Sequence, residues 1–144
     1  MICDLCPRRC GALRTEERGL GRCRMPELPV LARAALHRWE EPPISGTRGS
    51  GTIFFSGCSL GCVFCQNEEI SHRDFGKAVT LERLARICGE LVDQGAHNLN
   101  FVNPTHYAHV VGRLLEEHPQ PVPVVWNSGG YDRVDTLRAL EGKI

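Results

Sequence analysis

Three cysteines in the middle of the chain are the residues best suited to metal chemistry. Cys58, Cys62 and Cys65, called the loop cysteines below, have the spacing C-x3-C-x2-C in a segment that also contains glycines. Thiolates are soft ligands that select iron–sulfur clusters, zinc or copper(I) over harder metals. Three ligands on a four-iron cluster leave one iron without a protein thiolate, whereas an electron-transfer centre is expected to have four cysteines. The count therefore favours a cluster whose open iron binds a substrate or cofactor directly.

Four more cysteines lie near the N-terminus with the spacing C-x2-C-x3-C-x12-C. These N-terminal cysteines are Cys3, Cys6, Cys10 and Cys23. Four thiolates are enough for a structural zinc site or for a second iron–sulfur cluster, and both assignments stay open. A loosely ordered, reduced segment is the alternative. For the loop cysteines, the alternative is a structural zinc site that takes His72 as its fourth ligand.

Composition and charge exclude several classes of partner. The 144 residues include 17 Lys and Arg against 17 Asp and Glu, so the formal net charge is zero and favours neither nucleic acid nor an anionic membrane. The sequence shows no apolar run long enough to span a bilayer and no signal peptide, so its eight cysteines are not expected to form disulfides. We therefore expect a cytoplasmic protein without a nucleic-acid or membrane partner.

The elements that must position these cysteines follow from hydrophobic periodicity. An extended segment is predicted at 30–38, followed by a Pro- and Gly-rich loop at 40–52. Strands and helices then alternate, with Thr80 as an N-cap and Gly95 as a stop for the first helix. The predicted strands are 52–55, 99–102 and 122–126, and the predicted helices are 81–92, 107–115 and one from about 132.

This alternation is typical of βαβ units with a parallel sheet. Ligands of such folds bind at the carboxyl ends of the strands. Three polar loops, at 56–67, 103–106 and 127–130, follow the predicted strands and are expected to converge there.

Two other residues have chemistry that depends on burial. Cys88 lies on the apolar stripe of its predicted helix, so we expect a buried thiol in the core. His106 follows the second of these strands, and a surface position at the start of a helix is expected for it. A role in binding a cofactor or handling protons is the alternative for His106.

The loop cysteines, with an aromatic residue just before the last of them, resemble the signature loop of radical S-adenosylmethionine enzymes. The flanking sequences GTIFFSG and CQN resemble the pyruvate formate-lyase activating enzyme branch of that superfamily. The stretches CDLCPRRC at residues 3–10 and WEEPPISG at 39–46 resemble a poorly characterised subgroup of the branch. The resemblance extends along nearly the whole chain.

The resemblance implies a [4Fe-4S] cluster on the loop cysteines, whose open iron binds the methionyl group of S-adenosylmethionine. The reduced cluster then cleaves this cofactor to a 5′-deoxyadenosyl radical that abstracts hydrogen. Phe64 is expected to pack beside the adenine. The family's Gly-Gly-Glu motif is replaced here by residues 102–106, so Asn103 and Thr105 are expected to make its contact. Ser128 is expected to contact the cofactor from the third loop.

The implied fold class is α/β, the first half of a partial (βα)6 radical SAM barrel, with about three βα units after a Cys-rich segment. Residues 1–29 would form this metal-binding segment and residues 30–144 an incomplete core, so the chain is expected to be an inactive N-terminal fragment. The resemblance also implies flavodoxin or ferredoxin as the electron donor and a glycyl radical enzyme as one candidate target. Two alternatives stay open: a radical enzyme with another substrate, and a non-catalytic zinc or iron–sulfur module.

Overall fold

The computed structural model describes residues 1–73 and 75–144. The strands are β1 (Ile2–Cys3), β2 (Ala12–Leu13), β3 (Val30–His37), β4 (Ser50–Phe55), β5 (Lys77–Ala78), β6 (Leu99–Val102) and β7 (Val124–Asn127). The α-helices are α1 (Pro42–Ser45), α2 (Glu68–His72), α3 (Leu81–Asp93), α4 (Ala108–Glu117) and α5 (Val134–Ala139), with a 3-10 turn at Thr105–Tyr107. None of the helices in the described part of the chain has the length and apolar character needed to cross a membrane.

The larger sheet has the strand order β5-β3-β4-β6-β7. The strands β4, β6 and β7 are parallel, with Ile53 beside Phe101 and Phe101 beside Trp126. The predicted parallel βαβ arrangement is thus confirmed for these three strands. The extended segment predicted at 30–38 is the strand β3, which pairs antiparallel with both β4 and β5. The result is a mixed α/β fold, and the partial barrel stays a prediction.

The central strand β4 lies in the core because its sequence is apolar on both faces. Ile53 is completely buried and Phe55 is nearly so. Parallel strands covered on both faces read as continuous apolar runs, which explains why 52–55 could be recognised from the sequence. Helix α3 packs against β3, β4 and β6 and also against α4. The sheet and these two helices therefore hold β4 rigidly where it leads into the cysteine loop.

Helix α3 begins and ends at the residues that its sequence indicates. The side chain of Thr80 accepts a hydrogen bond from the backbone N–H of Arg83 at 3.2 Å, as an N-cap does. Gly95 follows the helix with a φ of 94°. Cys88 is completely buried on this helix, and burial raises the pKa of its thiol to about 12. The prediction of a buried core thiol is therefore confirmed.

Hydrogen bonds of the Arg14 side chain connect the N-terminal segment to the rest of the chain. Nη1 of Arg14 donates to the carbonyl of His106 at 2.7 Å, and its Nε donates to the carbonyl of Pro26 at 3.1 Å. The guanidinium also lies 4.9 Å from the centre of the Tyr107 ring, as in a cation–π contact. Residues 1–29 are thus in direct contact with the sheet-bearing part, while the domain boundary itself stays a prediction.

Candidate metal and cofactor site

The site lies where the three parallel strands end at the same level. Phe54 of β4 is beside Val102 of β6, which is beside Asn127 of β7. The loops that follow these strands border one cavity of about 270 Å³, slightly smaller than the roughly 300–1,000 Å³ of typical small-molecule sites. The side chains that give this cavity its chemistry are Cys58, Cys65, Asn103 and Ser128. The prediction that the loops converge at the carboxyl ends of the strands is confirmed.

The cysteine loop is held over the end of β7 by a close contact. Leu60, between the first two loop cysteines, packs against the backbone at Gly129. A Cβ atom added at Gly129 would lie 2.5 Å from Leu60 Cδ1, closer than two carbon atoms can approach. A turn closed by the Cys65 N–H and the Cys62 carbonyl at 3.2 Å shapes the other half of the loop. With any larger residue at position 129, the side chain of Leu60 would have to shift.

Two of the loop cysteines receive hydrogen bonds at sulfur. Asn103 Nδ2 donates to Cys58 Sγ at 3.2 Å, and the backbone N–H of Leu60 donates to the same sulfur at 3.4 Å. Ser71 Oγ donates to Cys65 Sγ at 3.3 Å. Donors of this kind stabilise a thiolate and set the reduction potential of a bound cluster. Soft sulfur ligands, donors at sulfur and an adjoining cavity together fit an iron–sulfur cluster.

A carboxylate that sequence reasoning missed organises the polar wall of the cavity. Asp132 accepts from the hydroxyl of Thr105 at 2.6 Å and from the hydroxyl of Ser128 at 2.5 Å. The Thr105 hydroxyl also lies 3.1 Å from Oδ1 of Asn103, whose amide contacts Cys58. Asp132 thus joins the ends of β6 and β7 through the residues predicted to bind the cofactor. The sequence could have indicated this role, because Asp132 lies just after the third polar loop.

The other predicted site residues lie around the cavity rather than in it. Phe64 is 83% exposed and stands outside the lining, so nothing here places it beside an adenine. Cys62 is half-buried and is also outside the lining residues. Thr105 is buried behind Asn103. His72, the alternative zinc ligand, has its Nδ1 3.0 Å from the hydroxyl of Ser71. The roles of these residues stay predictions.

His106 is a buried residue, so the expected surface position was wrong. Its ring is 1% exposed, and Nε2 lies 2.7 Å from the backbone carbonyl of Ser56, to which a neutral imidazole donates. Burial lowers the pKa of His106 to about 4, with smaller contributions from the positive fields of Arg14 and His109. The 3-10 turn before α4 directs the ring inward against Tyr107, at 4.6 Å between ring centres. His106 is therefore a neutral structural residue beside the site.

The N-terminal cysteines differ in their surroundings. Cys3 and Cys6 are buried, Cys23 is half-buried and Cys10 is exposed. Burial raises the pKa of Cys23, a backbone hydrogen bond at Met25 and the charge of Arg14 oppose this shift, and the thiols of Cys3 and Cys6 raise the pKa by smaller amounts. These three sulfur atoms therefore belong to one neighbourhood.

The N-terminal segment also touches the cysteine loop. Arg8 donates to the carbonyls of Ser59 and Leu60, the latter at 3.0 Å. A second cavity, of about 240 Å³, has Cys23 and Cys58 in its wall. One cysteine of each group, Cys23 and Cys58, thus borders this second cavity.

Across residues 1–73 and 75–144, no three His, Cys, Asp or Glu side chains lie close enough together to share a single metal ion. A tetrahedral zinc ion with bonds of about 2.3 Å would bring its thiolates to about 4 Å from one another. A four-iron cluster carries its thiolates on different iron atoms, so its ligands stand farther apart than those of one ion. Neither the loop cysteines nor the N-terminal cysteines therefore form a preassembled site for a single ion, and a cluster does not require one.

The comparisons with known proteins agree with an iron–sulfur centre. The family model described as a 4Fe-4S single cluster domain matches residues 45–141, which include all the loop cysteines and none of the N-terminal cysteines. The chain belongs to this family, and it is therefore a 4Fe-4S cluster-binding domain.

Among curated proteins, the chain is similar to an uncharacterized protein of Methanocaldococcus jannaschii. The two are 34% identical over 151 residues, which cover 99% of this chain and 43% of the relative. The chain thus spans less than half the length of that relative. No solved structure is significantly similar to the chain.

Proposed function

We propose that this chain carries the cluster and part of the cofactor site of a radical S-adenosylmethionine enzyme of the pyruvate formate-lyase activating branch. The observation that carries the proposal is the 270 Å³ cavity, because its wall combines cluster-ligand thiols with polar groups from two strand ends. Cys58 and Cys65 supply the thiols, and Asn103 and Ser128 supply the polar groups. A pure electron carrier has no need of such a cavity beside its cluster.

In this proposal the loop cysteines hold the cluster and leave one iron for the cofactor. When bound, the reduced cluster supplies the electron that cleaves S-adenosylmethionine to a 5′-deoxyadenosyl radical. Asn103 keeps one ligand in place through its hydrogen bond to Cys58 at 3.2 Å. Asn103 also lines the cavity, so its amide would be available to a polar group of the bound cofactor.

The carboxylate of Asp132 gives the cavity its second polar feature. Asp132 is held at both oxygens by Thr105 and Ser128, so its position is fixed before any cofactor arrives. A fixed carboxylate beside the cavity attracts the ammonium group and the sulfonium of S-adenosylmethionine, both of which are cationic. Asp132 thus does in this proposal what the glutamate of the Gly-Gly-Glu motif does in the wider family.

The test is spectroscopic and does not need turnover. The chain is reconstituted without oxygen, its iron and sulfide are measured, and the reduced protein is examined by electron paramagnetic resonance with and without S-adenosylmethionine. We expect about four irons and four sulfides on the loop cysteines, and a changed spectrum when the cofactor is added. Replacing all the loop cysteines with alanine should remove this iron.

Variants of the polar wall then show whether the cavity is the cofactor site. Asn103→Ala and Asp132→Asn should each weaken cofactor binding by about 1–3 kcal/mol, since each removes a polar partner. Gln94→Ala is the matched control, because Gln94 is an exposed amide at the end of α3. If the spectrum of the cluster-loaded protein does not change when the cofactor is added, the proposal is contradicted. The chain would then be a non-catalytic iron–sulfur module.

The target and the electron donor are proposed on the same resemblance. A flavodoxin or ferredoxin would reduce the cluster, and the radical would be transferred to a glycyl radical enzyme. Val63 and Phe64 are almost fully exposed on the cysteine loop, which gives a donor protein an apolar surface next to the cluster. Val63→Ser should therefore slow reduction by flavodoxin without changing the reduction by dithionite. Equal rates with flavodoxin would contradict this role of the loop.

A further inference from the structure

The first 24 residues have almost no apolar core of their own. The side chains that are buried within this range are Cys3, Cys6 and Arg14. Its regular structure consists of the two-residue strands β1 and β2 and one isolated bridge. Small segments that cannot bury enough apolar surface are commonly held together by metals or disulfides. The interior of this segment is therefore formed by the thiols of Cys3 and Cys6 and the guanidinium of Arg14, where a small domain would have apolar side chains.

Arg14 carries a positive charge into this interior without an acidic partner. Its relative exposure is 1%, and its donors reach the carbonyls of Pro26 and His106 and, at 3.8 Å, the sulfur of Cys3. Among the described residues, no carboxylate lies within ion-pair distance of this guanidinium. A buried charge is costly unless an opposite charge or a metal centre compensates it. Neutral thiols and carbonyls do not supply that compensation.

Cys3 contacts this charge, and Cys6 and Cys23 lie in the same neighbourhood, although no three of these thiols stand close enough to share one ion. Two turns with left-handed residues, Arg9 with a φ of 42° and Arg24 with a φ of 58°, reverse the chain beside Cys10 and Cys23. Cys10 lies over the second turn, because a Cβ atom at Gly21 would be 3.0 Å from its sulfur. A side chain at position 21 would require this thiol to shift slightly.

We propose that the N-terminal cysteines form a second metal centre, separate from the loop cysteines, whose negative charge is balanced by the buried guanidinium of Arg14. Four thiolates around a divalent ion or a cluster core leave a net charge of about −2. Arg14, at 3.8 Å from Cys3, then has the anionic neighbour that the metal-free thiols do not provide. Binding would draw the four thiolates together around a zinc ion or an iron–sulfur cluster, and the family match at 45–141 does not include them.

The metal content of a double variant tests the proposal. The chain and its Cys6→Ser, Cys10→Ser variant are purified without oxygen and loaded with zinc in one sample and with iron and sulfide in another. The variant should bind about one zinc less, or about four irons less, and the difference identifies the metal. Cys88→Ala is the control and should bind as much metal as the unchanged chain, because Cys88 is buried on α3. Equal metal content in the double variant overturns the proposal.

A second measurement on the unchanged chain covers the case in which the double variant fails to fold. Cys10 is exposed, so iodoacetamide should label it quickly after a chelator has removed any metal. With metal bound, labelling of Cys10 should be at least about tenfold slower, since a coordinated thiolate is not free to react. Equal labelling rates overturn the proposal. Iron on the loop cysteines is measured in the same samples, so a missing second centre is distinguished from a missing cluster.

Discussion

His106 should make the stability of the fold depend on pH between about 6.5 and 4. Its ordinary pKa of 6.5 is lowered to about 4 in the folded chain, because the buried ring has no access to water. The unfolded chain therefore binds a proton at His106 that the folded chain does not bind until the pH falls much further. The contribution of neutral His106 to the free energy of unfolding is therefore fully present above pH 6.5 and is lost as the pH falls toward 4.

The size of this effect follows from the shift in pKa. A difference of about 2.5 pKa units corresponds to about 3 kcal/mol in the free energy of unfolding. His109 adds a second contribution of the same sign, because burial lowers its pKa to about 4 as well. The slope of the unfolding free energy against pH reports how many more protons the unfolded chain binds than the folded chain. This difference should reach about two protons in the unchanged chain and about one proton in His106→Gln. Glutamine keeps an N–H donor for the carbonyl of Ser56 and has no proton to gain.

Urea denaturation of metal-free protein at several pH values between 4 and 7.5 measures this slope. His118→Gln is the matched control, because His118 is exposed after the end of α4, and its slope should equal that of the unchanged chain. If His106→Gln shows the same slope as the unchanged chain, then the ring does not titrate as its burial requires, and the structural role given to it here is wrong.

Three more measurements test the fold and the site. Thr80→Ala should lower the free energy of unfolding by about 1 kcal/mol in urea, because α3 loses its N-cap, and an unchanged midpoint would refute the cap. Leu84→Ala should cost about 2–5 kcal/mol because the side chain is completely buried, whereas Leu137→Ala, at 37% exposure, should cost much less. Ser71→Ala should lower the reduction potential of the cluster by roughly 40 mV, about 1 kcal/mol, since Cys65 loses a donor, and an equal potential in redox titration would argue against that hydrogen bond.

Patterns formed by residues close together in the sequence were enough to predict much of the sheet and its helices. The cap at Thr80, the apolar run of β4 and the polar loops after the strands each reflect neighbours in sequence. The position of the site at the strand ends followed from the topology of parallel sheets. These features need no knowledge of distant contacts.

The features that the sequence did not reveal depend on contacts between distant residues. Nothing in the sequence distinguishes Arg14 from the other arginines near the N-terminus, but its Nη1 donates to the carbonyl of His106, 92 positions away. The burial of His106 follows from the same contact and from its bond to Ser56. Asp132 became part of the site only because β6 and β7 end side by side. Spacing along the chain carries no information about such pairs.

The order in which the strands pair has a consequence for how the protein is made. β4 pairs with β3, β6 pairs with β4, and β7 pairs with β6. During synthesis, each of these strands therefore finds its partner already present in the part of the chain made before it. The contact from Arg14 to His106 is different, because 92 residues separate its ends. At about 5–20 residues per second, the N-terminal segment waits about 5–20 s for that contact. During this time Cys3 and Cys6 lack the enclosure that buries them in the finished fold, so capture of metal and oxidation by air compete for them in the nascent chain.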